Sequence, residues 1–239
     1  MLLSKLSLLA AAGIFTVGGV AAHADSLSLG TSVGSFTFSI KDNGHTTTET
    51  AGGGNYVGTT AIINGKPVDF SAVYCVDIFD DISNGGTYNL ISNNTGSVNG
   101  SHVNNAADIA WLILSLSAGA NTKTTSEALQ AAIWATEYNG TGGNNSPEFI
   151  LSTSSPLWNL FNSDITLLNN AISHGQVNNG LIADLDWLSP SSGSRWDSET
   201  RQGLVALDPP PAVPEPGTLS LLGTGLLGVA GIVRRRLSA

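Results

Sequence analysis

At Ala106 the spacing of apolar side chains changes, and this change limits the folds open to the chain more than any other feature. Upstream the pattern is that of strands. Ser26 to Ile40 (SLSLGTSVGSFTFSI) alternates apolar with small or polar residues, as one or two half-buried strands do. Lys41-Asp42-Asn43-Gly44-His45 is a turn signal, and the polar, Gly-rich stretch from Thr46 to Gly54 reads as a loop. Asn55 to Asn64 and Pro67 to Phe79 read as strands joined at Asn64-Gly65, a hairpin dipeptide. Thr87 to Ile91 is a further short strand, and Ser92 to Asn105 an Asn- and Gly-rich loop. Downstream the spacing is helical. Ala106 to Leu116 predicts a first helix. Thr124 to Tyr138 predicts a second, opened by a Thr124–Glu127 capping box and stopped at Gly140. Pro156 to Ser173 predicts a third, with Leu157, Leu160, Phe161, Leu168 and Ile172 on its apolar positions. Leu181 to Leu188 fits either period, and Leu204 to Leu207 reads as a last strand returning to the sheet. Strands, about three helices, then a strand give an α+β domain: an antiparallel sheet or barrel-like sandwich with a helical subdomain inserted before the returning strand.

Both ends of the chain fall outside that domain. Residues 1–24 carry Lys5, an apolar run from Leu6 to Val20 and the small-x-small sequence Ala22-His23-Ala24, the order of a secretory signal peptide cut after Ala24. Residues 25–208 form the domain. Residues 209–213 begin Pro209-Pro210-Pro211, a stiff linker. Residues 214–239 hold Pro214-Glu215-Pro216, an apolar run from Leu219 to Val233, and Arg234, Arg235 and Arg236. The run is short for a membrane span of about 20 residues, but with its flanks it can insert transiently, and the arginines would keep its end on the cytoplasmic side. This order of parts resembles the PEP-CTERM sorting signal. The resemblance implies a Gram-negative bacterium that secretes exopolysaccharide, an exosortase as the partner at the C-terminal signal, and delivery to the cell surface or the biofilm matrix.

The net charge is -9, and only five of the nine basic residues (Lys41, Lys66, Lys123, Arg195 and Arg201) lie between the two sorting ends. An acidic surface of this kind argues against nucleic acid and against anionic lipid as partners. The chain has a single cysteine, so no internal disulfide exists and packing must hold the domain.

That cysteine stands in SAVYCVDIFD, Ser71 to Asp80, an apolar strand-like segment. In the second predicted helix, Gln130 sits among Leu129, Ala131, Ala132 and Ile133, with Trp134 one turn on. An amide on an apolar face needs a specific partner. The pair Tyr74-Cys75-Val76-Asp77 and Gln130-Ala131-Ala132-Ile133-Trp134 resembles the Cys-Gln thioester domains of bacterial surface adhesins. Leu129 stands where threonine usually precedes the glutamine, and those adhesins are best known from Gram-positive bacteria. The resemblance implies an internal thioester between Cys75 and Gln130, made without a cofactor as ammonia leaves. It further implies an activated Cys75 thiolate, a dry site kept so by Trp134, Ile133 and Val76, and capture of an amine or hydroxyl on a partner protein or polysaccharide. Tyr74, Asp77, Ile133, Trp134 and Glu137 would support the pair. The acyl transfer is used once, so the protein is not expected to be an enzyme.

Other readings compete. A lone cysteine in an apolar strand commonly acts as a small hydrophobe, which would leave a non-covalent structural or carbohydrate-binding matrix protein. Trp158, Trp187 and Trp196 suit sugar stacking but fit core positions better. Cys75 with His45, His102 or His174 would make a cysteine hydrolase, although no known local signature surrounds it. Asp77, Asp80 and Asp81 offer oxygen ligands for Ca²⁺ but lack EF-hand spacing, and a solvated acidic turn fits them better, so no metal is expected.

Overall fold

The computed structural model describes residues 25–139, 147–192 and 199–208. The signal peptide, the linker, the apolar C-terminal run, Gly140 and Trp196 lie outside the described residues. Among the described residues no helix is long and apolar enough to cross a membrane.

The main sheet is antiparallel. It contains β1 (Ser26–Ser28), β4 (Thr60–Ile63), β5 (Lys66–Asp69), β6 (Ala72–Cys75), β7 (Thr87–Asn93), β11 (Asp186–Ser192) and β13 (Leu204–Leu207), in the order β5-β4-β1-β7-β11-β13-β6, with β12 (Glu199–Thr200) paired to β11. A second sheet joins β2 (Thr31–Asp42), β3 (His45–Val57) and β10 (Glu148–Ile150) in the order β10-β2-β3, and β8 (Ser97–Val98) pairs with β9 (Ser101–His102). Among the described residues three α-helices, α1 (Ala106–Leu116), α2 (Lys123–Tyr138) and α3 (Trp158–Ser173), complete the α+β architecture, and a 3₁₀ turn spans Asn179–Asp184. The returning strand β13 lies inside the sheet between β11 and β6, with Leu204 opposite Cys75.

Asn-Gly pairs fold the hairpins. Asn43-Gly44, Asn64-Gly65 and Asn99-Gly100 all take positive φ at both residues (49° and 79°, 51° and 75°, 50° and 78°), the type I′ geometry that matches strand twist. The third pair lies within the segment expected to be a loop, which folds instead into the short β8–β9 hairpin.

The clearest departure from expectation is Thr46 to Gly54, which is strand and not loop. Its threonines pair along β2, with Thr37 and Thr50 hydroxyls 2.8 Å apart and Ser39 and Thr48 hydroxyls 3.1 Å apart. This face of the hairpin is solvated, so β-branched polar residues supply the strand preference and no apolar alternation marks it. The second helix also starts differently. Its N-cap is Thr122, and the box closes on Thr125: the Thr125 N–H donates to Thr122 Oγ1 at 3.2 Å, and the Thr122 N–H donates to Thr125 Oγ1 at 3.1 Å. A threonine hydroxyl both donates and accepts, so it fills the place expected of a glutamate. Glu127 lies one turn further in, 3.7 Å from the Lys123 ammonium. Leu181 to Leu188 divides between the 3₁₀ turn and the start of β11.

Every residue of α2 from Ser126 to Glu137 is buried. A helix buried on all sides must touch two layers. Ala131, Trp134 and Ala135 face a core shared with Phe36, Phe38, Cys75, Leu188 and Leu204. Leu129, Ala132 and Ile133 face a second core with Tyr74, Ile109, Leu112, Trp187 and Val205. Trp134 is fully buried, its ring centroid 5.6 Å from Phe36, 5.0 Å from Phe38 and 6.0 Å from Phe149. Trp134→Ala is expected to destabilise the domain by about 3–5 kcal/mol. Urea unfolding would show a lower midpoint with an unchanged slope.

Candidate functional site

Strand β6 is the last in its sheet, so one side of it has no strand neighbour. Its alternation divides its bonds. Val76 turns its N–H inward, donating to Gly203 O at 3.0 Å, while Val73 and Cys75 turn theirs to the open side. Unpaired edge groups in a dry interior are costly. Two side-chain amides meet them. The Val73 N–H donates to Asn55 Oδ1 at 2.8 Å. The Cys75 N–H donates to Gln130 Oε1 at 3.0 Å, and Gln130 Nε2 donates back to Cys75 O at 2.8 Å. The Gln130 amide thus caps residue 75 as a neighbouring strand would. Cys75 and Gln130 are both fully buried, at 0% exposure.

Strand β3 covers this junction from a third direction. Gly53 passes so close that a Cβ there would lie 2.5 Å from Phe36 Cε1 and 3.7 Å from Gln130 Cγ, which leaves room only for glycine. The Asn55 N–H then donates to Ser126 Oγ at 2.7 Å, tying β3 to α2. The next residue, Tyr56, is buried and its hydroxyl accepts from Cys75 Sγ at 3.4 Å. Asn55, Tyr56, Ser126 and the Gly52–Gly54 run did not stand out in the sequence as site residues. The signal was a glycine run ending in Asn-Tyr, which marks a backbone passing close over another element.

The remaining sequence candidates take different places. Trp134 shares the Cys75 core. Tyr74, Val76 and Ile133 belong to the second core, because β6 alternation turns Tyr74 and Val76 away from Cys75 and the helix turns Ile133 away from Trp134. Asp77 follows the strand. Its Oδ1 accepts from the Phe79 N–H at 2.9 Å, its Oδ2 accepts from Asn99 Nδ2 at 3.4 Å, and its carbonyl accepts from Gln202 Nε2 at 2.6 Å. Glu137, two turns beyond Gln130, is buried at 7% exposure, not on a solvated face. Asp80 is half-buried and Asp81 exposed, and among the described residues no group of three His, Cys, Asp or Glu is placed to hold a metal ion.

The electrostatics reverse one expectation. Cys75 is not set up as a thiolate: burial pushes its thiol up to about 12, opposed by the Tyr56 hydrogen bond and aided by the charge of Asp77. Desolvation penalises the charged form, and among the described residues no cation stands near enough to offset it. The Tyr56 phenol is also pushed up, first by burial and then by Cys75, so it stays protonated. A cysteine–histidine pair is not assembled either. His45, His102 and His174 are exposed; His102 Nδ1 meets Ser97 Oγ at 3.4 Å and His174 Nδ1 meets Asn170 O at 2.7 Å. Trp187 is a core residue, its Nε1 donating to Ile182 O at 3.0 Å, and Trp158 is half-buried against Phe161.

Among known families, the PEP-CTERM protein-sorting motif matches residues 212–236. No curated protein and no solved structure matches the chain. The motif marks an exported protein of a Gram-negative bacterium, recognised by an exosortase and delivered to the cell surface or the extracellular matrix.

The buried Glu137 carboxyl is raised from 4.5 to about 9, chiefly by burial and then by the charge of Asp77. The native state therefore keeps a proton that the unfolded chain releases. This stability is fully present below pH 4.5 and is lost as pH rises through about 9. Asp164 and Asp186, each raised to about 6 mainly by burial, act in the same direction over a narrower window. Urea midpoints should fall between about pH 5 and about pH 9, and Glu137→Gln should flatten that fall.

Proposed function

We propose that Cys75 and Gln130 join in an internal thioester and that this bond captures a nucleophile, amine or hydroxyl, on a partner protein or polysaccharide at the cell surface or in the matrix. The observation that carries the reading is the reciprocal hydrogen bonding of the Gln130 amide with the backbone of Cys75, at 3.0 and 2.8 Å, inside a site where both residues are fully buried. It holds the amide against the one residue that bears a thiol.

The chemistry follows from those contacts. Sulfur adds to Gln130 Cδ, and negative charge grows on Oε1, where the Cys75 N–H already donates as an oxyanion-hole donor does. Collapse expels Nε2 as ammonia, with the thiol proton ending on the departing nitrogen. The Sγ–Cδ bond forms, the Cδ–Nε2 bond breaks, and no oxidant, metal or cofactor enters. Because the thiol stays neutral up to about 12, sulfur adds while it is still protonated and sheds its proton during the step. The dry interior that raises this value also keeps water from the product. Capture then repeats the addition with an external nucleophile. Gln130 gains an amide or ester bond to the partner, Cys75 returns as a thiol, and the bond is spent, so there is no turnover.

Full burial requires that the cover open before a partner enters. A groove of about 580 Å³ opens where the β2–β3 hairpin faces the segment after β6, lined by Phe38, Ile40, Glu49, Ala51, Ile78 and Phe79 among others, and neither Cys75 nor Gln130 lines it. Intact mass of the freshly purified mature protein tests the reading. The expected mass is lower than the sequence by one ammonia, and the deficit is abolished in both Cys75→Ala and Gln130→Ala. A wild-type mass equal to the plain sequence would sink the reading, leaving Gln130 as the cap of an edge strand in a non-covalent matrix protein. Methylamine should add its own mass to the ammonia-deficient protein, leaving it one methylene heavier than the plain sequence, and should do so faster than a bulky amine of equal basicity.

A further inference from the structure

The hydroxyl of Tyr56 lies 3.4 Å from the sulfur of Cys75, deep in the core that also holds Trp134. We infer that Tyr56 touches the reacting sulfur in both directions of the acyl transfer: it orients the thiol while the thioester forms, and it donates to the sulfur when a nucleophile opens the bond. The inference rests on the thioester reading above and concerns how that bond is made and broken.

The site poses a specific difficulty. With sulfur fully buried and its thiol raised to about 12, a free thiolate is a poor leaving group there, because nothing solvates it. Oε1 has the Cys75 N–H for its developing charge. The sulfur needs a donor of its own, and Tyr56 supplies the hydroxyl. A phenol both accepts and donates. Before the thioester forms, Sγ–H donates to Tyr56 Oη, which leaves the sulfur lone pairs free to meet an electrophile. Once Sγ is bonded to Cδ it has no hydrogen, so the phenolic O–H turns to become the donor. When an external amine adds to Cδ, the Cδ–Sγ bond breaks and its electron pair passes to sulfur. The Tyr56 hydrogen bond stabilises that charge until sulfur takes the proton shed by the attacking amine.

The placement of Tyr56 supports a defined position for this hydroxyl. The strand is anchored immediately before it by two bonds of Asn55, one to Ser126 on α2 and one to Val73 on β6. Thr59 Oγ1 donates to Tyr56 O at 2.7 Å, which fixes the backbone on the other side. The ring therefore enters the core from a backbone held by both elements that carry the reacting residues.

The test uses the mature protein and its Tyr56→Phe variant, which keeps the ring and removes the hydroxyl. Opening by methylamine is followed by intact mass, with thermal unfolding of each protein as the structural control. The expected result is a second-order rate constant lower by about tenfold to a hundredfold, the effect of one hydrogen bond to a developing charge, with an ammonia deficit that is smaller or slower to appear. A Phe variant with the full deficit and the wild-type opening rate would overturn the inference while leaving the thioester intact. Absence of the deficit in the wild type would instead remove the thioester and this inference with it. If the Phe variant does not fold, a fluorinated tyrosine placed at position 56 keeps the packing and strengthens the donor. Faster opening then supports the role, and an unchanged rate overturns it.

Discussion

The arrangement depends on an unpaired edge. Strand β6 ends its sheet inside the protein, where its outward N–H and C=O groups have neither another strand nor water. Something rigid must bond to residue 75 from that side, and α2 provides it through the amide of Gln130. A side-chain amide carries the same donor and acceptor as a peptide group, so it can stand in for one residue of a missing strand. This requirement brings the helix against the strand and buries it on all sides. It also holds the Gln130 amide against the backbone of the residue that bears the thiol. The bonding that completes the sheet is thus the same bonding on which the proposed acyl transfer rests.

Dryness then acts on the buried ionisable groups around the pair in one sense. Cys75, Tyr56 and Glu137 are all shifted toward their neutral forms, with burial the first cause in each case. Such an interior is unsuited to keeping a nucleophile ready and well suited to keeping an electrophile unspent. A hydrolase needs the opposite, a charged or readily charged nucleophile open to substrate and to water. The burial of Cys75, which first resembles the setting of an inert sulfur, is therefore also what a long-lived acyl bond needs.

Much of this was legible in the sequence, for identifiable reasons. The helices could be read because α1 and α2 keep an apolar spacing over three turns or more, and Gln130 stood out because its neighbours were all apolar. The turn at Asn43-Gly44 and the hairpin at Asn64-Gly65 could be read because positive φ at paired positions demands those residues, but the first was not legible as a hairpin because its second strand lacks alternation. What was lost was lost to tertiary context. The threonines of β3 pair with β2 on a solvated face and so carry no alternation. The helix cap moved to Thr122 because Thr125 can both donate and accept. Tyr74, next to Cys75, and Ile133, next to Trp134, face the other core by strand and helix periodicity. Tyr56 and Asn55 reach the site from a different sheet, a relation that no local pattern encodes.

The position of β13 has a mechanical consequence. The chain leaves the described domain just after this strand, at Asp208, on its way to the sorting motif. A pull directed along the axis of β13 enters the strand at Leu207. The strand is held by β11 on one side and β6 on the other, so the hydrogen bonds of both ladders bear the load together in shear instead of opening one after another. Leu204, at the far end of the strand, faces Cys75. Tension arriving from the C-terminal side is therefore carried through four residue pairs directly to the strand against which α2 is fastened.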